Sequence, residues 1–150
     1  MQTSKKELLE AINLVKSNQR GIMPHTVEYN PEENMVIAKF MGKVDLPDLL
    51  EGLANIIRAA KQENCRYVLT DLHQADLQVS VSQTYNFPDT IKKIARAEDI
   101  SLHQIKRAFV AAKHQDILEF YENVSINRSH KTKLFHDIEE AKSWLKEGRE

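Results

Sequence analysis

Six histidines, one cysteine and a run of hydroxyl residues are the side chains here that could do chemistry. Asp71, His73, Lys113, His114 and His136 each follow a short apolar run, and the ends of such runs are where an open α/β sheet presents groups to a ligand. Imidazoles beside acids could bind a metal or act as a general base near neutral pH. No two of them stand at a tight ligand spacing such as His-x-x-x-His, however, and three separate loops would have to converge. Solvated and capping roles are therefore expected, and no metal ligand set is assigned. Asp71 could accept a phosphoryl group, but that chemistry needs an acidic pair and a lysine after the last strand, where His136 and Asp137 stand instead. Ser80, Ser82 and Thr84 follow His73 closely, yet no Gly-x-Ser-x-Gly elbow surrounds them, so no catalytic residue is assigned. Gly21, Gly42, Gly52 and Gly148 are the only glycines and form no phosphate-cradling loop, which leaves no cofactor to expect.

Composition narrows the field further. With 21 Lys plus Arg against 22 Asp plus Glu, the net charge of -1 creates no field toward nucleic acid or an anionic membrane. The basic run from Arg128 to Lys133 reads as a solvated loop. A chain of 150 residues, 41% hydrophobic and 29% charged, fits one domain with a real core. Cys65 stands alone, so no intramolecular disulfide can form; a buried thiol in a reducing cytoplasm is the expectation. No apolar stretch is long enough to span a bilayer, and Lys5, Lys6, Glu7, Glu10 and Lys16 break up the N-terminal apolar residues that a signal peptide would need unbroken.

These residues have to be positioned by regular elements. Leu8, Leu9, Ile12 and Val15 predict an amphipathic helix that, with its linker, occupies residues 1–22, ahead of a single domain over 23–150. His25 to Tyr29 and Met35 to Met41 are β-prone runs joined by Asn-Pro-Glu-Glu-Asn, which predicts an antiparallel hairpin closed by Gly42. Asp45 can cap a helix whose stripe is Leu46, Leu49, Leu50, Leu53, Ile57 and Ala60. Tyr67 to Asp71 then reads as a central parallel strand, and Leu72 to Thr84 as the loop and cap after it, with Ser82 the N-cap and Ser80 a solvated loop residue. Pro88 is expected to split Ser82 to Ala97 into two short helices. Arg107 to Ala112 and Lys133 to His136 predict strands around a helix, Asp116 to Arg128, that turns Ile117, Phe120, Tyr121 and Val124 inward. Asp137 with Glu140 starts a last helix carrying Ala141, Trp144 and Leu145. The order implies an α/β fold, a mixed sheet of about five strands with helices packed on it. Phe87, Phe109, Phe120, Tyr121, Phe135 and Trp144 are assigned to the core.

From YNPEENMVIAKFMGKVDLPDLLEGLANIIRAAKQENCRYVLTDL to ILEFYENVSINRSHKTKLFHDIEEAKSWL the chain resembles the STAS superfamily, specifically its SpoIIAA-like, STAS/CRAL-TRIO-like bacterial branch. The resemblance covers roughly Thr26 to Leu145 and rests on element order, the glycine after the second strand, the leucine-rich helix, Asp71-Leu72, and the aromatic helix followed by Arg128 and Phe135. It implies a small regulatory domain of the anti-sigma-factor-antagonist kind. In such domains a serine at the start of the helix after the third strand is phosphorylated, which maps to Ser80 or Ser82, with Thr84 in the same partner-facing loop. The Asp-Ser-Ser-Gly-like pattern around that serine is absent here. The CRAL-TRIO side implies an alternative, an apolar pocket beneath the interrupted helix, lined by Tyr85, Phe87, Ile91 and Ile94.

The expectation is thus a cytoplasmic, non-enzymatic domain that binds another protein, with a homodimer through exposed sheet or helix surface as one form of that binding. A small apolar ligand or lipid is the alternative occupant. An enzyme using the histidines and Asp71 is a distant third.

Overall fold

The computed structural model of the chain describes residues 24–112, 116–127 and 130–149. The helix expected over residues 1–22 lies outside them, as do Lys113, His114 and Arg128. Asn-Pro-Glu-Glu-Asn folds β1 (His25–Asn30) onto β2 (Met35–Asp45) as an antiparallel hairpin with Asn30 opposite Met35. Asn34 closes the turn at φ 50°, a left-handed conformation that asparagine tolerates well.

Three further strands extend the sheet: β3 (Tyr67–Gln78), β4 (Lys106–Val110) and β5 (Lys131–Phe135). The strand order is β1-β2-β3-β4-β5, parallel from β2 onward. Between them run α1 (Leu46–Gln62), α2 (Val81–Ala97) and α3 (Asp116–Asn127). Each of these helices carries the chain one strand further in the same direction, so their apolar sides gather on one face of the sheet. On that face Val36, Val68, Leu53, Ile57, Ile91 and Ala95 are buried. The last helix, α4 (Ile138–Lys146), packs Ala141 and Leu145 against Met35, Leu69 and Val110 on the opposite face.

Two expectations change here. Pro88 does not divide its helix: α2 is continuous over 17 residues. An interior proline costs about 3 kcal/mol through its missing amide and its ring. That cost is offset because Pro88 itself is fully buried and Ile91 and Ala95, at 0% exposure, lock the following turns onto the core. Phe120 is only half-buried and belongs to no core cluster among the described residues; α3 instead buries Leu118, Tyr121, Val124 and Ser125. A side chain one position from Tyr121 is turned about 100° around the helix, which carries Phe120 off the buried stripe. The other five aromatics pack in or against the core.

Candidate functional site

The carboxyl ends of the strands are uneven, and this shapes the site. β4 stops at Val110, opposite Asp71, while β2 and β3 run on together, Met41–Asp45 beside Gln74–Gln78. A register shift between Lys39 and Met41 sets Phe40 against both Leu72 and His73 and begins this two-stranded ribbon. Leu72 to Gln78 is therefore strand, not loop. Its alternation of inward Ala75 and Leu77 with exposed Gln74, Asp76 and Gln78 is a period-2 pattern that the sequence already displays.

Both strands of the ribbon pass straight into helices. Asp45 caps α1, accepting from the Asp48 amide at 3.0 Å while Asp48 Oδ2 accepts from the Asp45 amide at 3.1 Å. The cap of α2 is Ser80, not Ser82. Ser80 Oγ accepts from the Gln83 amide at 3.0 Å and Gln83 Oε1 accepts from the Ser80 amide at 3.0 Å, a closed capping box. The buried Thr84 donates its hydroxyl to the Ser80 carbonyl at 2.9 Å, whereas Ser82 is exposed. Ser80→Ala is thus expected to lower stability by about 1 kcal/mol and Ser82→Ala by less than about 0.5 kcal/mol. Urea denaturation of the two variants checks this, and equal effects would contradict the assigned cap.

Beneath the first turns of α2 lies a hollow of about 50 Å3, entirely apolar, walled by Leu46, Leu49, Leu77, Val79, Phe87 and Tyr121. A deeper hollow of about 40 Å3 shares Leu49 and Phe87 and reaches Thr70 and Arg107. Of the residues expected to line a pocket, Phe87 borders both hollows and Ile91 the deeper one. Ile94 instead packs with Leu53, Ile57 and Leu102, and Tyr85 points away, 53% exposed, because it falls on the outer side of the unbroken helix. A dry cavity that admits benzene measures about 150 Å3, so each hollow as it stands is too small for even that ring.

Asp71, His73 and His136 do meet, but away from the hydroxyls. Strand alternation puts Asp71 with Leu69 on the α4 side of the sheet. Its Oδ1 accepts from the His73 amide at 3.0 Å and lies 3.1 Å from His73 Nδ1. His73 Nε2 faces the His136 carbonyl at 3.3 Å, and His136 Nδ1 faces the Ala111 carbonyl at 2.9 Å. Three of the four ring nitrogens therefore face oxygen atoms, and a neutral His73 ring donates to one of its two, so the two imidazoles are held in place by their neighbours. No cluster of metal-ligating side chains occurs among the described residues. The described rim residues Asp71, His73 and His136 thus lie together on one side of the ribbon, and the hydroxyls of the α2 start lie on the other.

Val81, 62% exposed, and Tyr85 stand one helical turn apart on the outer side of α2. Val81 was not singled out from sequence, although a signal was present: from Leu77 to Pro88 no residue carries a charge, in a chain that is 29% charged. The stretch from Leu77 to Pro88, which leads into α2, is therefore hydroxyl-bearing and partly apolar without charge of its own, next to a ribbon that carries Lys43 and Asp76.

No family model matches the chain, and no curated protein matches it. Solved structures do. One is an uncharacterized protein of the DUF3478 family with a SpoIIAA-like fold from Shewanella loihica PV-4, 17% identical, with a TM-score of 0.51 over 81% of this chain and 91% of that one. Another is an anti-sigma factor antagonist from Mycobacterium paratuberculosis, 15% identical, with a TM-score of 0.50 over 82% of this chain and 95% of that one. With its hairpin, its parallel β-α succession and these structural neighbours, the chain has the SpoIIAA-like α/β fold.

Proposed function

We propose that the chain is a non-enzymatic regulatory domain that binds another protein through the start of α2. The observation that carries this reading is the exposed pair Val81 and Tyr85 beside a serine-capped helix start, in a stretch from Leu77 to Pro88 that holds no charged residue, directly after the third strand. Aromatic and apolar side chains lose little on desolvation and are favoured at interface centres. The Mycobacterium paratuberculosis neighbour is an anti-sigma factor antagonist, which supports a protein as the occupant. Ser82 is the hydroxyl open to modification, since Ser80 Oγ holds the cap and Thr84 is buried. A phosphate on Ser82, in the first turn of α2, would be favoured by the helix dipole and would turn a neutral contact surface strongly negative. The reading places the domain in the cytoplasm, where buried Cys65 stays reduced; among the described residues no helix is long and apolar enough to cross a membrane.

Affinity purification from the chain's own host tests the proposal. The expected result is a partner that copurifies with the wild type, is lost about 30-fold or more with Val81→Glu or Tyr85→Ala, and is kept by His73→Ala on the other rim. Full retention by Val81→Glu would reject the surface. A bound apolar ligand, the second reading, draws on the hollows beneath α2; it requires Val81 to Phe87 to lift away from Leu77 and Val79, and a noncovalent adduct lost on denaturation in a native mass spectrum would favour it.

A further inference from the structure

At the other end of α2 the molecule carries charge that protein binding through Val81 and Tyr85 does not use. Lys92 and Arg96 border an open cleft of about 430 Å3, closed on its far side by Ser101 and His103 at the 3-10 turn Leu102–Gln104. That volume lies in the range of small-molecule sites. Behind His103, with ring centroids 5.9 Å apart, stands His130, 6% exposed, and with it Arg107, 4% exposed. The Arg107 guanidinium donates to Thr132 Oγ1 at 3.0 Å, but its Nε and the Nδ1 of His130 have no hydrogen-bond partner among the described residues. Tyr121 Oη and Ser125 Oγ, one turn apart on the buried side of α3, are unpaired in the same way, and the Ser125 carbonyl accepts from the His130 amide at 3.0 Å. A buried polar atom left unpaired costs about 1–3 kcal/mol. None of these four residues lines the cleft; Arg107 and His130 stand behind its His103 wall.

Positive charge predominates there. Burial first, then the positive charge of Arg107, His103 and Lys92, hold the His130 imidazole down to about 4, with only Asp89 pulling the other way. At the C-terminal end of α2 the carbonyls of Ile94, Ala95 and Arg96 are taken up by the amides of Glu98, Asp99 and Ile100, which softens the negative end of the helix facing the cleft. Asp99 is the one acid on the cleft wall.

We propose that this cleft binds a small dianion of the phosphate class, with Lys92, Arg96 and His103 as outer ligands and the buried Arg107 guanidinium as the fixed charge behind them. Lys92 and Arg96 are mobile point and fork donors suited to phosphate oxygens, while Arg107 supplies attraction that solvent screens poorly. Inorganic phosphate and a small phosphate monoester share this chemistry.

The experiment follows the imidazole signals of the full chain by NMR during titration with sodium phosphate, glycerol phosphate, or sodium chloride at matched ionic strength. The expected result is a saturable movement of the His103 and His130 signals with the phosphates and not with chloride. In the Lys92→Gln/Arg96→Gln double variant, whose replaced side chains are exposed and whose fold is checked by thermal melting, affinity should fall roughly tenfold or more. Tighter binding of glycerol phosphate identifies the ester as the ligand class; equal or tighter binding of inorganic phosphate identifies the free ion. No saturable movement with either, or unchanged affinity in the double variant, overturns the site.

Discussion

Gly52→Ala is expected to destabilise the domain by about 1–3 kcal/mol, even though alanine is the better helix former by about 1 kcal/mol. A Cβ at position 52 would fall 2.4 Å from Cζ and 2.5 Å from Cε1 of Phe40. The ring has little room to retreat: Phe40 is 2% exposed, lies where the β2–β3 register shifts, and is flanked by the His25 ring at 5.6 Å. Close packing transmits such an intrusion to the backbone of either α1 or β2. Phe40→Leu in the same chain should relieve it. In a double-mutant cycle read by urea denaturation, the pair should therefore be more stable than the sum of the single effects by at least about 1 kcal/mol. Additive effects, or a stabilising Gly52→Ala, would show that the ring moves aside freely.

Acid should weaken the fold earlier than carboxylate titration alone would. The His130 imidazole sits at about 4 in the folded chain, against about 6.5 when unfolded. Between those values the unfolded chain takes up a proton that the folded chain refuses, so stability rises with pH. The His130 contribution is complete above about pH 6.5 and falls away as pH drops toward 4, by about 2–3 kcal/mol in all. His25 acts in the same direction, its imidazole held below the usual value by burial against the opposing pull of Asp48. His130→Gln should flatten the dependence of unfolding free energy on pH between 7 and 4.5, whatever it does to stability at pH 7. An unchanged slope in that variant would mean that His130 gains its proton without cost in the folded chain.

Local chemistry made much of this fold legible. The Asn-Pro-Glu-Glu-Asn turn, the Asp45 cap and the apolar stripe of α1 each depend on neighbours within a few residues, and the hairpin and leading helix follow from them. The ribbon was hidden because Gly42 looks like a strand end. Its φ of 71° is instead accommodated within β2, and the continuation matters only because Gln74–Gln78 of β3 lies alongside. Pro88 misled for a related reason: its local penalty is plain in the sequence, while the burial of Ile91 and Ala95 that outweighs it is tertiary. The reading of Ser82 as cap fell two residues late because the Ser80–Gln83 pair is an equally good capping box and the longer strand brings the helix start forward. For the candidate site, sequence position identified the strand ends but not which face of the sheet each side chain takes, which depends on strand alternation and the register shift. Lys113 and His114 lie outside the described residues.

The ribbon beyond the register shift joins the two leading helices into one mechanical unit. Asp45 ends β2 and opens α1, and Gln78 ends β3 only two residues before the Ser80 cap of α2. A push on the start of α2 is therefore delivered through Met41–Asp45 and Gln74–Gln78 to the start of α1, as by a yoke. β4, which stops opposite Asp71, provides no third rail to resist it. Amide hydrogen exchange would register that division as a step, with slow exchange up to Asp71 and faster exchange from Gln74 onward.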